Sequence, residues 1–350
     1  MELGSNFNLD LSDLTLREDN IFSYLSEYDH VLYFDSGRSA LRHLVKKLGG
    51  RYDKVLLPEF ICSSVARCFE RSRISYYRLR ADFSPDIESI SAAGPEGSII
   101  YVIHYFGSVQ DKNLLSAIRN MADDCGSLII EDSTHSIFSA KKTIGDFMVA
   151  SIRKWLPLSG GVLYYDGPYE EKPFYHASVD NEAVKGMVLK DMYLKNLLDC
   201  NSLYREIFEK SEEALDRQKD IRAMSDLSKF IASCIGIDDL ITKRRENYSY
   251  LKERLSERGI KPALELKDGE TPLVFPLRLH NRDSLRSYLM EKKIYCAVHW
   301  PFYDHLPEMR PFARRNADEL LSLPIDQRYD RDHMDYLLKA LDDYGGNLKF

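Results

Sequence analysis

Lys154 stands in Gly145-Asp146-Phe147-Met148-Val149-Ala150-Ser151-Ile152-Arg153-Lys154-Trp155-Leu156-Pro157-Leu158-Ser159-Gly160-Gly161. A short apolar strand leads to a serine and this lysine, and a turn with two glycines leads to a second apolar strand. A lysine held next to a buried strand and a tryptophan loses water around its ammonium, and a neighbouring cation such as Arg153 acts in the same direction. Both effects free the amine for imine formation. Two further stretches complement it. In Asp35-Ser36-Gly37-Arg38-Ser39-Ala40 a strand turns into a helix. The backbone amides of a helix start bind anions, glycine permits close approach, and Arg38 and Ser39 add groups suited to phosphate. The same stretch also reads as an ordinary N-cap, with Ser36 or Ser39 satisfying the first amides. In Leu128-Ile129-Ile130-Glu131-Asp132-Ser133-Thr134-His135 a carboxylate, Asp132, ends a buried strand. It would suit a protonated pyridine nitrogen, which needs a negative partner to act as an electron acceptor. His135 is close enough to bond a ring hydroxyl or stack on the ring. Together the three stretches offer what pyridoxal 5'-phosphate requires.

The elements around them have an α/β pattern. Continuous apolar runs at residues 31–34, 55–57, 76–79, 99–104, 128–131, 147–151 and 162–165 read as strands, with helices near 39–48, 61–71 and 112–124. Runs that do not alternate belong to a mostly parallel sheet covered on both faces, and ligands of such sheets gather at the carboxyl ends of the strands. Residues 211–258 read as helical and charged. Short strands near 273–277 and 294–298 and helices near 282–292 and 332–341 then predict a smaller α+β domain. The expected division is an N-terminal arm at 1–25, a large domain at 26–250 and a small domain at 251–350, with Gly259 close to the start of the last.

Composition sets limits. The chain has 350 residues, a formal charge of −7 and 44% hydrophobic residues. That charge disfavours a nucleic-acid surface. No apolar run approaches the ~20 residues of a membrane span, and the acidic start does not read as a secretory leader. Six scattered cysteines without a CxxC pair suit a reduced, cytoplasmic protein rather than a disulfide framework. His104, His135 and His299 have no ligand-like spacing, so no metal site is expected.

The motifs and their order resemble those of the DegT/DnrJ/EryC1/StrS aminotransferases, pyridoxal-phosphate enzymes of the aspartate aminotransferase-like fold type I. The resemblance rests on Ser36-Gly37-Arg38-Ser39-Ala40-Leu41, on Pro58 followed by Phe60, and on His104-Tyr105-Phe106-Gly107 running to Asp111. It continues through Glu131-Asp132, Gly145-Asp146, Met224-Ser225-Asp226-Leu227, Arg244-Arg245-Glu246-Asn247 and Leu321-Ser322-Leu323-Pro324. It implies that Lys154 forms the Schiff base and shuttles the proton, that Asp132 pairs with the ring nitrogen, and that His135 contacts the ring hydroxyl. It also implies that Gly37, Arg38, Ser39 and Ser151 hold the phosphate, with Phe60 stacking on the ring and His104 lining the pocket. An amino donor such as glutamate, a keto acceptor of the kind carried on nucleotide-linked sugars, and a homodimer follow from the same resemblance.

Departures from the family pattern are visible too. Lys154 lies only three residues after Ser151, in a loop closer to the class V aminotransferases and cysteine desulfurases. Arg38 replaces a threonine, and Ile221 stands where the family lends an asparagine across the dimer. A desulfurase or lyase would need a nucleophilic cysteine, for which Cys200 and Cys296 are the candidates. A non-catalytic regulatory protein that kept the cofactor is the other alternative. The segment from Tyr295 to His305 reads either as core or as a substrate-facing wall, and Arg328 just beyond it as an anion clamp.

Overall fold

The first half of the chain alternates short strands with helices, as its apolar runs require. The computed structural model describes residues 1–139, 143–167, 175–179, 181–301, 310–344 and 348. The elements begin with β1 (Leu3–Gly4), α1 (Ile21–Tyr24), β2 (His30–Phe34), α2 (Gly37–Leu48), β3 (Val55–Pro58) and α3 (Ser63–Ala66). There follow β4 (Ile74–Tyr77), α4 (Ile87–Ala92), β5 (Ile99–Ile103), α5 (Lys112–Asp124), β6 (Leu128–Asp132), β7 (Phe147–Ala150) and β8 (Gly161–Tyr165). Four helices come next: α6 (Glu182–Leu194), α7 (Asn201–Arg217), α8 (Asp226–Ser233) and α9 (Ile237–Ser256). The chain closes with β9 (Phe275–Arg278), α10 (Arg282–Glu291), β10 (Ile294–Tyr295), α11 (Pro311–Glu319), β11 (Leu320–Leu323) and α12 (Arg331–Tyr344).

Packing divides the chain into two units that interleave in sequence. The first comprises residues 1–5, 50–145 and 239–350, and the second residues 6–49 and 146–238. In the first unit β3 lies between β4 and β5, and β5 pairs with β6, all parallel. Every residue of β3 and β5 is buried, which explains why these strands read as unbroken apolar runs. The same unit holds an antiparallel pair, β9 with β11, and a parallel pair, β1 with β10. Its C-terminal core gathers Leu251, Leu255, Phe275, Leu277, Leu285, Leu289, Leu321, Leu323, Met334, Leu337 and Leu341. The Gly4 amide donates to the Tyr329 hydroxyl at 2.7 Å, which fastens the start of the chain here.

In the second unit β8 runs antiparallel to both β2 and β7, and α2 packs over these strands while α6 and α7 pack on one another. Two sequence expectations fail locally. The helix expected over 61–71 is one short turn, α3, followed by a 3-10 turn at Arg71–Arg73. Cys62 gives α3 no side-chain cap, so four residues lack what a longer helix needs. The helical reading of 211–258 breaks at 218–225, where Ala223 bridges to Phe34 and Ala177. Ser225 then caps α8 by accepting from the Ser228 amide.

Candidate active-site residues

Asp132 is the last residue of β6 and is almost fully buried. Its Oδ2 accepts from the Tyr101 hydroxyl at 2.8 Å and its Oδ1 from the Thr134 amide at 2.9 Å. Both donors are neutral. Burial raises the Asp132 carboxyl above its usual range, and the bonds from Thr134 and Tyr101 oppose that rise. A buried carboxylate held by neutral donors is suited to a cationic partner.

His135 lies in the turn after β6. The Phe106 amide donates to its Nδ1 at 3.4 Å, which places the ring proton on Nε2. Trp300 stacks on this imidazole, with centroids 5.3 Å apart and planes at 25°. His299 meets it edge-on at 5.0 Å and is held at Nδ1 by the Ser322 hydroxyl, 2.8 Å away. Phe60, beyond the end of β3, packs against Trp300 at 5.2 Å and against Phe83 and Tyr105, each at 6.1 Å. The Tyr105 hydroxyl donates to the Phe60 carbonyl at 2.7 Å. Asp132, His135 and Phe60 thus belong to one aromatic-lined region of the first unit, with Trp300 as a member from the C-terminal part. The aromatic stretch beginning at Tyr295 contributes Trp300 and His299 here, while Phe302, Tyr303, Asp304 and His305 lie outside the described residues.

His104 follows β5 and is completely buried. The Gln110 amide donates to its Nδ1 at 3.2 Å, so Nε2 carries the proton and donates to Glu131 Oε2, also at 3.2 Å. Glu131 accepts from the Thr143 hydroxyl and from the Ile144 amide as well. Both nitrogens of His104 therefore serve this internal network.

The second unit carries the other candidates. Ser36 is the N-cap of α2 and accepts from the Ser39 amide at 3.1 Å, so the capping reading holds for Ser36. The Ser39 hydroxyl is buried within reach of Ser36 Oγ at 3.2 Å and Gln218 Nε2 at 3.4 Å. Gly37 approaches Ser151 so closely that a Cβ on it would lie 3.0 Å from the Ser151 Cβ. A Cβ on Gly161 would lie 2.2 Å from the Gly37 nitrogen. Gly161, the second glycine after Lys154, is therefore what lets β8 pass directly beneath the start of α2. Gly37, Ser39, Ser151 and the turn that carries Lys154 come together in this way.

Lys154 closes the 3-10 turn Ile152–Lys154. Ile152 and Trp155 take the buried positions of that turn and Lys154 is exposed, so the desolvation expected from its neighbours is not observed. Arg153 forms an ion pair with Glu212, and Arg38 forms one with Asp216. Glu212 and Asp216 are four residues apart, on one side of α7. Burial would raise the Glu212 carboxyl, but Arg153, with Lys154 and Arg38, holds it below its usual range. The acidic side of α7 and its pairing with these cations were not legible beforehand, because α7 read only as a charged helix.

Residues 230–342 match the DegT/DnrJ/EryC1/StrS aminotransferase family. The structure as a whole is similar to DesV of S. venezuelae, solved with a ketimine intermediate, at 18% identity and a TM-score of 0.66, covering 95% of this chain and 91% of that one. It is also similar to a DegT DnrJ EryC1 StrS aminotransferase from Brucella abortus, at 17% identity and a TM-score of 0.63 over 93% and 88% of the two chains. Spr1654 from Streptococcus pneumoniae, in its PMP form, matches at 15% identity and a TM-score of 0.65 over 92% and 87%. The fold is that of the fold-type I aminotransferases. No curated protein sequence matches the chain.

The DegT-type segment explains its own motifs. Arg244 on α9 is buried and donates to Gln327 Oε1 and the Leu273 carbonyl, both at 2.8 Å. Asn247, one turn later, donates to the carbonyls of Ile325, Asp326 and Tyr329. The Arg-Arg-x-Asn helix thus clamps the loop after Leu321-Ser322-Leu323-Pro324. Arg328 in that loop holds Asp326 through two bonds of 2.7 and 2.9 Å. Its guanidinium is committed to the loop, which argues against the anion clamp expected for it. Cys296 is buried and its thiol is pushed up to about 12, while Cys200 is buried with its thiol donating to the Leu189 carbonyl. Cys296 lacks the lowered pKa of a nucleophilic cysteine, and the Cys200 thiol is bonded within the packing. Among the described residues no helix is long and apolar enough to cross a membrane.

Proposed function

We propose that this protein is a pyridoxal-phosphate-dependent aminotransferase of the DegT type. It takes an amino group from an amino acid such as glutamate and passes it to a keto group, with a nucleotide-linked sugar as the acceptor class. The observation that carries the reading is Asp132: a carboxylate buried at a strand end, with neutral donors from Tyr101 and Thr134, fits a protonated ring nitrogen. The close approach of Gly37, Ser151 and Gly161 at the start of α2 fits a phosphate group cradled by backbone amides.

When bound, the cofactor supplies an electron sink for charge that develops at the substrate carbon. The residues then have defined tasks. Asp132 keeps a negative charge beside the ring nitrogen. The Gly37 amide and the Ser39 and Ser151 hydroxyls would bind the phosphate, and Arg38 would add positive charge to the same loop. His135 offers its Nε2 proton to the ring hydroxyl, its plane held by Trp300. Phe60 covers the ring within the aromatic group it shares with Tyr105 and Trp300. His104 lines the same region through its packing, since its nitrogens are bound elsewhere. Lys154 Nζ would hold the cofactor's aldehyde carbon and carry a proton, so position matters as much as basicity. The protein is read as cytoplasmic, in keeping with its free cysteines, and as a homodimer, by its resemblance to the DegT-type enzymes.

The test is a visible spectrum of purified protein supplied with pyridoxal phosphate, before and after glutamate. A band that moves to shorter wavelength on adding glutamate, and is absent in Lys154→Ala, supports the reading. No visible band in the parent protein would refute the cofactor itself.

A further inference from the structure

Tyr101 interrupts the apolar run of β5, Ile99-Ile100-Tyr101-Val102-Ile103. Its ring is wholly enclosed and meets Phe69 edge-on at 6.1 Å. Its carbonyl accepts from the Tyr77 hydroxyl at 2.8 Å, which ties this point of β5 to β4. In the parallel register Tyr101 stands opposite Ile130, and Ile103 stands opposite Asp132. Residues two apart on a strand share a face, and a long side chain spans the diagonal to the next residue on that face. The phenol covers this diagonal and delivers its hydroxyl to Asp132 Oδ2 at 2.8 Å.

A buried hydroxyl is costly without an acceptor, and here the acceptor is a carboxylate, giving a charge-assisted bond. With Oδ2 held by Tyr101 and Oδ1 by the Thr134 amide, the plane of the carboxylate is set from two sides. We propose that Tyr101 is a positioning residue that keeps Asp132 ionised and oriented toward a cationic aromatic N–H donor. The bond lies within the first unit and is independent of any ligand. Only its consequence for cofactor binding rests on the function proposed above.

Physical direction supports the assignment. Burial drives the Asp132 carboxyl toward its neutral form, and the Tyr101 bond opposes this. Removing the hydroxyl leaves burial less opposed, so the carboxyl should hold its proton to higher pH.

The experiment compares the parent with Tyr101→Phe, which removes one oxygen and keeps the ring. In cofactor-free protein carrying isotope-labelled aspartate, the infrared carboxyl band of Asp132, assigned by its loss in Asp132→Asn, is titrated with pH. The midpoint is expected to rise by about one pH unit, the scale of a hydrogen bond to a charged group. An unmoved or lowered midpoint would overturn the proposal. Binding of pyridoxal 5'-phosphate by equilibrium dialysis gives a second readout. Affinity in Tyr101→Phe should fall about tenfold between the two midpoints and rejoin the parent at higher pH, where both carboxyls are ionised. A loss equal at every pH would mark a purely structural residue and also overturn it. If Tyr101→Phe does not fold, 3-fluorotyrosine at position 101 is the substitute. Its more acidic hydroxyl should lower the midpoint, and any other outcome counts against the proposal. A parent that binds no pyridoxal phosphate, yet shows the carboxyl shift, refutes the proposed function and leaves the Tyr101–Asp132 coupling supported.

Discussion

His104 and Glu131 are bonded to each other in the interior, Nε2 to Oε2 at 3.2 Å, at the carboxyl ends of adjacent parallel strands. Glu131 directly precedes Asp132, and His104 precedes the turn whose Phe106 amide holds His135. The pair therefore locks the backbone of both segments that carry candidate cofactor contacts. Replacing His104 by Ala leaves a buried carboxylate with fewer donors and exposes nothing to compensate it. We expect a loss of roughly 2–4 kcal/mol in urea unfolding, together with weakened pyridoxal phosphate binding. Unchanged stability would mean that Glu131 is held sufficiently by the Thr143 and Ile144 contacts alone.

The two glycines at the start of α2 should respond unequally. A methyl group on Gly161 would lie 2.2 Å from backbone of Ser36 and Gly37, which cannot yield without moving the helix start. A methyl group on Gly37 meets the Ser151 Cβ at 3.0 Å and its Cα at 3.3 Å, contacts that a shift of a few tenths of an ångström relieves. Gly161→Ala is expected to cost about 3 kcal/mol or more and Gly37→Ala about 1 kcal/mol. Thermal unfolding of both variants decides this, and an inverted order would contradict the packing described.

Arg328 and Asp326 give a pH signature. Burial raises the Asp326 carboxyl, but Arg328 and Arg244 outweigh it and hold the group below its ordinary value of 3.8. Asp326 thus contributes stability that is fully present above 3.8 and is lost as pH falls through the lowered folded value. Arg328→Met should cost roughly 3–5 kcal/mol at pH 7 and flatten the acid limb of the stability profile. If Arg328 were instead a substrate clamp, the variant would keep its stability and raise KM.

Much of this was legible in the chain. Strands β3, β5 and β6 are buried on both faces, so their apolar runs were unbroken, and α5 (Lys112–Asp124) matched its apolar spacing from its Asp111 cap onward. Asp132 and His135 stand out in the sequence because strand ends carry chemistry. Tyr101 was hidden for the opposite reason: a tyrosine within an apolar run reads as core, and only the register of β5 against β6 shows its hydroxyl reaching Asp132. Trp300 belongs to a stretch whose core and site readings were evenly matched, since the residue that stacks on it, His135, lies 165 positions earlier. The exposure of Lys154 is not legible in the sequence, because the adjacent apolar residues imply burial, whereas a 3-10 turn sends neighbours in different directions.

Asp132→Asn separates stability from function. The carboxyl is raised by burial in the folded chain and has its ordinary value of 3.8 when unfolded. The folded state therefore binds the proton more tightly, and stability falls as pH rises from 3.8 through the folded value. Above that value the folded chain carries an ionised, desolvated carboxylate that the amide of asparagine replaces without charge. Asp132→Asn should thus raise the unfolding temperature of cofactor-free protein at pH 7, and the advantage should vanish below pH 3.8. Under the proposed function the same change would remove the partner of the ring nitrogen, so amino transfer should fall by about a hundredfold or more, the scale seen for lost charge stabilisation at reacting centres. A variant less stable at pH 7 in the absence of cofactor would show that Asp132 is structurally compensated, and that its burial is not held for the sake of a ligand.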